Sequence, residues 1–188
     1  AIKRYDNELY DFSEKIWNNQ LYPEDILMMT NNNINSIYDA DCNIVWTNNK
    51  RKHLNKLCNV HHSKKADKVM KVEYTGKPNK YNEDIILYKG VKLLCNITCK
   101  KIDIRKNETL IVDDFDDDNV FIGDKIIPIN KLHNTFILGY AMTCYKAQGD
   151  TYDGLINIFE TEKLMEDKRF LYTATTRTRS FKNVNFMG

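Results

Sequence analysis

No apolar run in this sequence is long enough to span a bilayer, and no leader pattern of charge, apolar stretch and small-residue cleavage site opens it. The chain starts at Ala1 and runs straight into "IKRYDNELYDF", which reads as a piece of something longer. The paired-cysteine spacing of a small stapled scaffold is missing. Five cysteines, an odd number, point instead to free thiols in an intracellular, reducing compartment such as the cytoplasm, the nucleus or a viral replication site. Internal repeats and low-complexity tracts are absent. So is a strong charge imbalance. The net charge of +2 is too near neutral to argue for a nucleic-acid partner by itself. Most consequential is a missing motif: no Gly-rich loop ends in Gly-Lys-Ser/Thr. Gly76-Lys77 is followed by Pro78 and has no glycine at the needed spacing upstream. A chain without that loop is not expected to bind and hydrolyse ATP unaided.

What is present is an ordinary globular composition, 42% hydrophobic and 29% charged over 188 residues. That length supports one well-formed core and a small appended module. Charge is unevenly spread. Lys50, Arg51, Lys52 and Lys56 begin a basic run that continues to Lys77, and residues 113–118 read "DDFDDD". Both runs read as solvated faces; the basic one reads equally well as a phosphate-facing patch. Cys58 with His61 and His62, and Cys95 with Cys99, do not have zinc-ligand spacing, so no metal site is assigned.

Residues 6–19 place Leu9, Phe12 and Ile16, with Trp17 beside them, on one helical face behind the potential cap Asp6. "NIVWT" at 43–47 is a buried-strand pattern. A helix with apolar points at Leu54, Leu57, Cys58 and Val60 follows it. Strand, polar turn and helix form the unit of a parallel α/β sheet. Residues 85–135 change texture, with short β-rich runs between Gly, Asn and Asp turns that suggest a small antiparallel barrel. Within them "LIVDD" (110–114) resembles a strand carrying a magnesium-binding acid, but its surroundings favour a hairpin turn. "FILGYAMT" (136–143) and "LINIFE" (155–160) return to buried strands. "EDKRFLYTATTRTRS" reads as a helix with Arg177 in line, and "KNVNFM" as a last strand.

Two segments remain, "TCYKAQGDTYD" and "LYTATTRTR", each beside a buried strand. Arg177 reads equally as a surface helix residue and as a guanidinium aimed at phosphate. The motifs settle the choice. "FILGYAMTCYKAQGDTYDG" resembles motif V of superfamily 1 DNA helicases, especially their RecD-like branch, and "RFLYTATTRTRS" is similar to motif VI. "NIVWTNNKRKHLN" resembles the family's Thr-Asn segment. "YKGVKLLCNI" with "RKNETLIVDDF" looks like its SH3-like insertion, though Asn107-Glu108 lacks the glycine usual there.

The resemblance implies an α/β fold: a RecA-like parallel sheet, the second motor domain, in residues 1–84 and 136–188, interrupted by a small SH3-like β-barrel insertion at 85–135. It implies a fragment of an ATP-dependent DNA helicase, inactive as an ATPase alone. The first motor domain would supply the phosphate loop and the carboxylates for Mg2+. By the same resemblance Arg177 and Arg4 contact the γ-phosphate of ATP; Gln148, Gly149 and Thr151 lie at the nucleotide; and Thr143, Tyr145, Lys146, Thr47 and Asn48 meet single-stranded DNA. Tyr145 stands where the family has His, and Ala147 where it has Ser. The implied partners are single-stranded DNA, the first motor domain and replication proteins. The competing reading is a non-catalytic nucleic-acid- or partner-binding domain that kept the fold.

Overall fold

A computed structural model describes residues 5–31 and 33–188. Arg4 lies outside the described residues. The chain divides into two compact units, residues 1–51 with 141–188, and residues 52–140.

The first unit is built on a five-stranded, all-parallel sheet. Its elements in chain order begin with α1 (Asn7–Trp17), α2 (Pro23–Met28), β1 (Thr30–Asn31), α3 (Ser36–Asp39) and β2 (Cys42–Val45). α4 (Asn48–Ser63) starts here and runs on into the second unit. α1 forms where expected. Asp6 caps it by accepting from the Leu9 amide at 2.8 Å, and Leu9, Phe12 and Ile16 are buried. Trp17 is not core: it stays 40% exposed, with Tyr172 beside its ring and the Lys168 ammonium over it.

The second unit is antiparallel β. β3 (Met70–Val72) pairs with β4 (Ile85–Leu87). β5 (Lys92–Cys95) lies between β6 (Thr109–Ile111) and, from the far end of the unit's chain, β10 (Phe136–Leu138). β7 (Asp114–Phe115), β8 (Asn119–Ile122) and β9 (Lys125–Pro128) form a third sheet, and α5 (Leu132–Thr135) precedes β10. Residues 52–84 and 136–140 belong to this unit, whereas the motif pattern assigns them to the parallel sheet. The reason is pairing: β3 satisfies its backbone on β4, and β10 on β5.

Two further expectations change. "LIVDD" is not a hairpin turn. It bridges β6 and β7, which lie in different sheets. The turn falls just beyond it, where Asp116 Oδ1 accepts from the amides of Asp118 and Asn119. "FILGYAMT" is not one strand but two. Residues 136–138 pair antiparallel with β5, and 141–143 leave for the parallel sheet.

The chain then completes the first unit with β11 (Ala141–Thr143), α6 (Cys144–Ala147), β12 (Ile156–Ile158), α7 (Thr161–Glu166), α8 (Lys168–Thr175) and β13 (Val184–Met187). The strand order is β1-β13-β12-β2-β11. Ile44, Ile156, Ile158 and Phe186 are buried on these strands, as continuous burial in a parallel sheet requires. Three asparagines cross the sheet in register. Asn157 donates to Asn43 Oδ1 at 2.8 Å and to the Ser36 carbonyl, and accepts from Asn185. Asn43 and Asn157 are fully buried, and Asn43 donates onward to the Ile37 carbonyl. These amides tie α3 to the sheet.

Candidate nucleotide and nucleic-acid interface

Thr143 pairs across from Val45, so β11 and β2 end together. The residues that follow both strands therefore emerge at one edge of the sheet, the carboxyl edge where open α/β sheets bind ligands. From β11 come Thr143, half-buried, and Tyr145, whose side chain is 75% exposed on α6. From β2 come Thr47 and Asn48. Lys146, grouped with them by motif, is only 8% exposed. On the four-residue α6, position 146 falls on the buried side with Cys144 and Ala147, while 145 faces out.

Thr47 is committed within the chain. Its hydroxyl accepts from the Lys50 amide and its carbonyl from the Arg51 amide, so it caps α4. The same hydroxyl donates to Glu160 at 2.9 Å. The other Glu160 oxygen accepts from the amides of Trp46 and Thr47, both at 2.9 Å. Glu160 follows β12 with a left-handed φ of 54°. Its carboxylate thus clamps the β2–α4 turn from the neighbouring strand. Asn48 accepts from the Nε of Arg51, a fully buried arginine. Glu160 is a site-shaping residue that the sequence pattern places inside a strand. Its partners lie 113 and 114 residues away, so no local signal marks it.

The nucleotide candidates sit on the return paths to β12 and β13. Gln148, Gly149 and Thr151 are exposed. Gly149 has φ +102°, a conformation that favours glycine, and a Cβ there would touch nothing within 4 Å. Arg177 lies past the C-cap of α8, not in the helix as expected. Its position is fixed from three sides. Nε donates to the Thr173 carbonyl at 2.8 Å, Nη1 to the Asp150 carbonyl at 3.0 Å, and Nη2 to the Thr176 hydroxyl at 3.2 Å. The Tyr152 amide returns a bond to the Arg177 carbonyl at 2.7 Å, and Tyr152 bridges Thr178. Loop 148–152 and Arg177 are therefore one hydrogen-bonded assembly. Arg4 cannot be placed with them, since it lies outside the described residues.

Burial shifts the titratable groups nearby toward their neutral forms. Burial pushes the Cys144 thiol up to about 12 against the charge of Arg177, and the thiol donates to the Phe170 carbonyl. It is no nucleophile at neutral pH. Burial raises the Asp150 carboxyl, opposed by the Tyr152 hydroxyl and by Arg177. Burial also raises the Tyr152 phenol. The assembly presents an oriented guanidinium and an exposed glycine-containing turn, the equipment for holding a phosphate.

Residues 138–181 match the UvrD-like helicase C-terminal domain family. The stretch contains both loop 148–152 and Arg177. The whole chain also superposes on solved helicases. It is similar to a Bacteroides Pif1 bound to single-stranded DNA (TM-score 0.66, 13% identity), covering 100% of this chain and 50% of that one. A Bacteroides Pif1 with ADP-AlF3 and single-stranded DNA gives 0.65 at 15% identity, covering 100% and 51%. Pif1 from Candida albicans gives 0.63 at 11%, covering 100% and 55%. No curated protein matches the chain. In residues 138–181 the chain thus resembles UvrD-like helicases, and its α/β fold with a parallel sheet is that of the Pif1 structures. It spans about half the length of the Pif1 structures it matches.

Proposed function

We propose that this chain is the second motor domain of an ATP-dependent superfamily 1 DNA helicase of the RecD-like kind, acting on single-stranded DNA in an intracellular, reducing setting. Its SH3-like insertion lies within the antiparallel unit, residues 52–140. The carrying observation is the assembly of Arg177 with loop 148–152. Of the five guanidinium N–H groups, three are spent inside the chain, on Thr173, Asp150 and Thr176. Two remain on the terminal nitrogens for the γ-phosphate, pre-aimed by the fixed carbonyls. Gln148, Gly149 and Thr151 line the approach.

Magnesium does not fit this unit. Asp150, the carboxylate nearest the loop, is biased toward its neutral form and met by a phenol, and no group of three potential metal ligands occurs among the described residues. The metal of ATP is left to the first motor domain, with which this one closes to complete the site. At the sheet edge, Tyr145 offers a ring for stacking and Thr143 a hydroxyl for phosphate, a sequence-independent grip. Thr47 and Asn48 shape that edge.

The test is Arg177→Ala in the natural full-length protein. DNA-stimulated ATP hydrolysis is expected to fall on the order of a thousandfold, with the fold intact by circular dichroism. Near-normal hydrolysis removes the arginine from the reaction. Absence of ATPase in the unmodified full-length protein favours the non-catalytic binding domain.

A further inference from the structure

The basic run, open in sequence between solvated face and phosphate contact, lies mainly on the second unit. Residues 48–66 hold six Lys and Arg and not one Asp or Glu. α4 buries Leu54, Asn55, Cys58 and Asn59 on one face. The asparagines are core because they are satisfied. Asn55 donates to the Leu138 carbonyl, and Asn59 both donates to the Ile86 carbonyl and accepts from its amide, as a neighbouring strand would. Val60, expected in the core, is exposed instead. The opposite stripe is His53, Lys56 and Val60, continued past the helix end by exposed Lys64 and Lys65.

Three observations separate this face from an ordinary charged surface. First, the acid-paired lysines of the unit lie elsewhere: Lys71 with Glu73 and Asp84, Lys125 with Asp124, Lys68 with Asp114. Among the described residues, Lys56, Lys64 and Lys65 pair with no carboxylate. Second, the Lys52 ammonium donates to the Asn79 carbonyl at 2.5 Å, which fixes the loop carrying Lys77 and Lys80 against the same helix. Third, that loop is ordered. Asn79 accepts from the amides of Tyr81 and Asn82 and donates to the Tyr74 hydroxyl, which donates to the Lys77 carbonyl. The Tyr74 hydroxyl packs over Gly76, where a Cβ would fall 2.3 Å from its oxygen.

We propose that Lys56, Lys64 and Lys65, with Lys77 of the docked loop, form a second nucleic-acid site that takes the sugar–phosphate backbone of duplex DNA. Charge complementarity commits the surface to a polyanion. The choice of duplex follows from the lack of free stacking rings: the helix stripe bears no Phe, Trp or Tyr, and the loop's two tyrosines are engaged, Tyr74 by its hydroxyl with Lys77 and Asn79 and Tyr81 by its ring under the Lys80 ammonium, whereas single-strand platforms depend on stacking. Lys56 stands on the helix and Lys64 and Lys65 in the turn just past its end. Such point charges suit phosphates, which carry no sequence information. The exposed ring of Tyr145 belongs to the other unit.

The experiment compares the full-length protein with a Lys56→Gln, Lys64→Gln, Lys65→Gln variant, using a blunt hairpin duplex and an oligo-dT strand as probes across a salt series. Each duplex phosphate neutralised by a lysine adds about 0.9 to the slope of log affinity against log salt, so the triple variant is expected to flatten the duplex slope by about 2 to 3. The oligo-dT slope and the DNA-stimulated ATPase should be unchanged. An unchanged duplex slope overturns the proposal. An equal flattening with oligo-dT overturns the duplex assignment. Tyr145→Ala, measured in parallel, keeps the readings apart: if it weakens oligo-dT binding while the triple variant changes nothing, the helicase reading stands and only the second site is refuted.

Discussion

Replacing Glu160 with alanine should loosen the turn that leads from β2 into α4. In the native chain one carboxylate meets three donors, the Trp46 amide, the Thr47 amide and the Thr47 hydroxyl, all at 2.9 Å. Each bond to a charged acceptor contributes about 1.5–3 kcal/mol when the group is shielded. These groups are half-buried, so water recovers part of that, and the Thr47 hydroxyl keeps its cap bond from Lys50. Relief of the left-handed backbone is small, because alanine also has a Cβ. The net expected loss is about 2–3 kcal/mol, a large share of the roughly 5–15 kcal/mol that holds a domain together. Glu160→Gln should lose only about 1 kcal/mol. Its carbonyl oxygen can still accept from both amides, and its NH2 can donate to the Thr47 oxygen. Urea unfolding of wild type and both variants gives the two differences. A Glu160→Ala stability within about 0.5 kcal/mol of wild type, the ordinary range for surface substitutions, would refute the clamp. So would a glutamine variant as weak as the alanine one.

Asn157→Ala removes four side-chain hydrogen bonds at once, including those with Asn43 and Asn185, and should cost about 2–4 kcal/mol by the same assay; a loss under about 1 kcal/mol means the asparagine row contributes little. Gly149→Ala should lose about 1–2 kcal/mol from backbone strain alone, and a change above about 4 kcal/mol would reveal a clash that the open space around the glycine does not contain. Asp6 predicts a pH dependence. Burial pushes its carboxyl up, but hydrogen bonds from Ser180, Leu9 and Phe181 outweigh it and hold the group below the usual carboxylate range. Its contribution is therefore present above the unfolded value of about 3.9 and is lost as pH falls through the lower folded value. The stability gap between wild type and Asp6→Asn should be about 1 kcal/mol near pH 6 and should shrink toward about pH 2; a gap that widens on acidification contradicts the assignment.

Short-range chemistry decides what the sequence can reveal. The cap at Asp6, the apolar face of α1, the parallel-sheet unit from "NIVWT" into α4, and the pairing of "KAQGDT" with "TATTRTR" all rest on neighbours within a few residues, or on a local motif. Long-range pairing decides the rest. Residues 136–143 read as one apolar strand, and nothing local divides them. Only β5 on one side and β2 on the other show that the strand is two. Arg51, Asn55 and Asn59 look like surface residues of a basic helix, yet all are buried. For the two asparagines the partners that offset desolvation lie 27 to 83 residues away. Lys146 looks like a free cation beside Tyr145, and a single helical turn faces it inward. Glu160 and the Asp150 carbonyl carry no motif, because a hydrogen-bond acceptor becomes specific only when the fold delivers its donor. The sequence named the candidate residues. Tertiary structure decided which of them are exposed, which are tied down, and which are oriented.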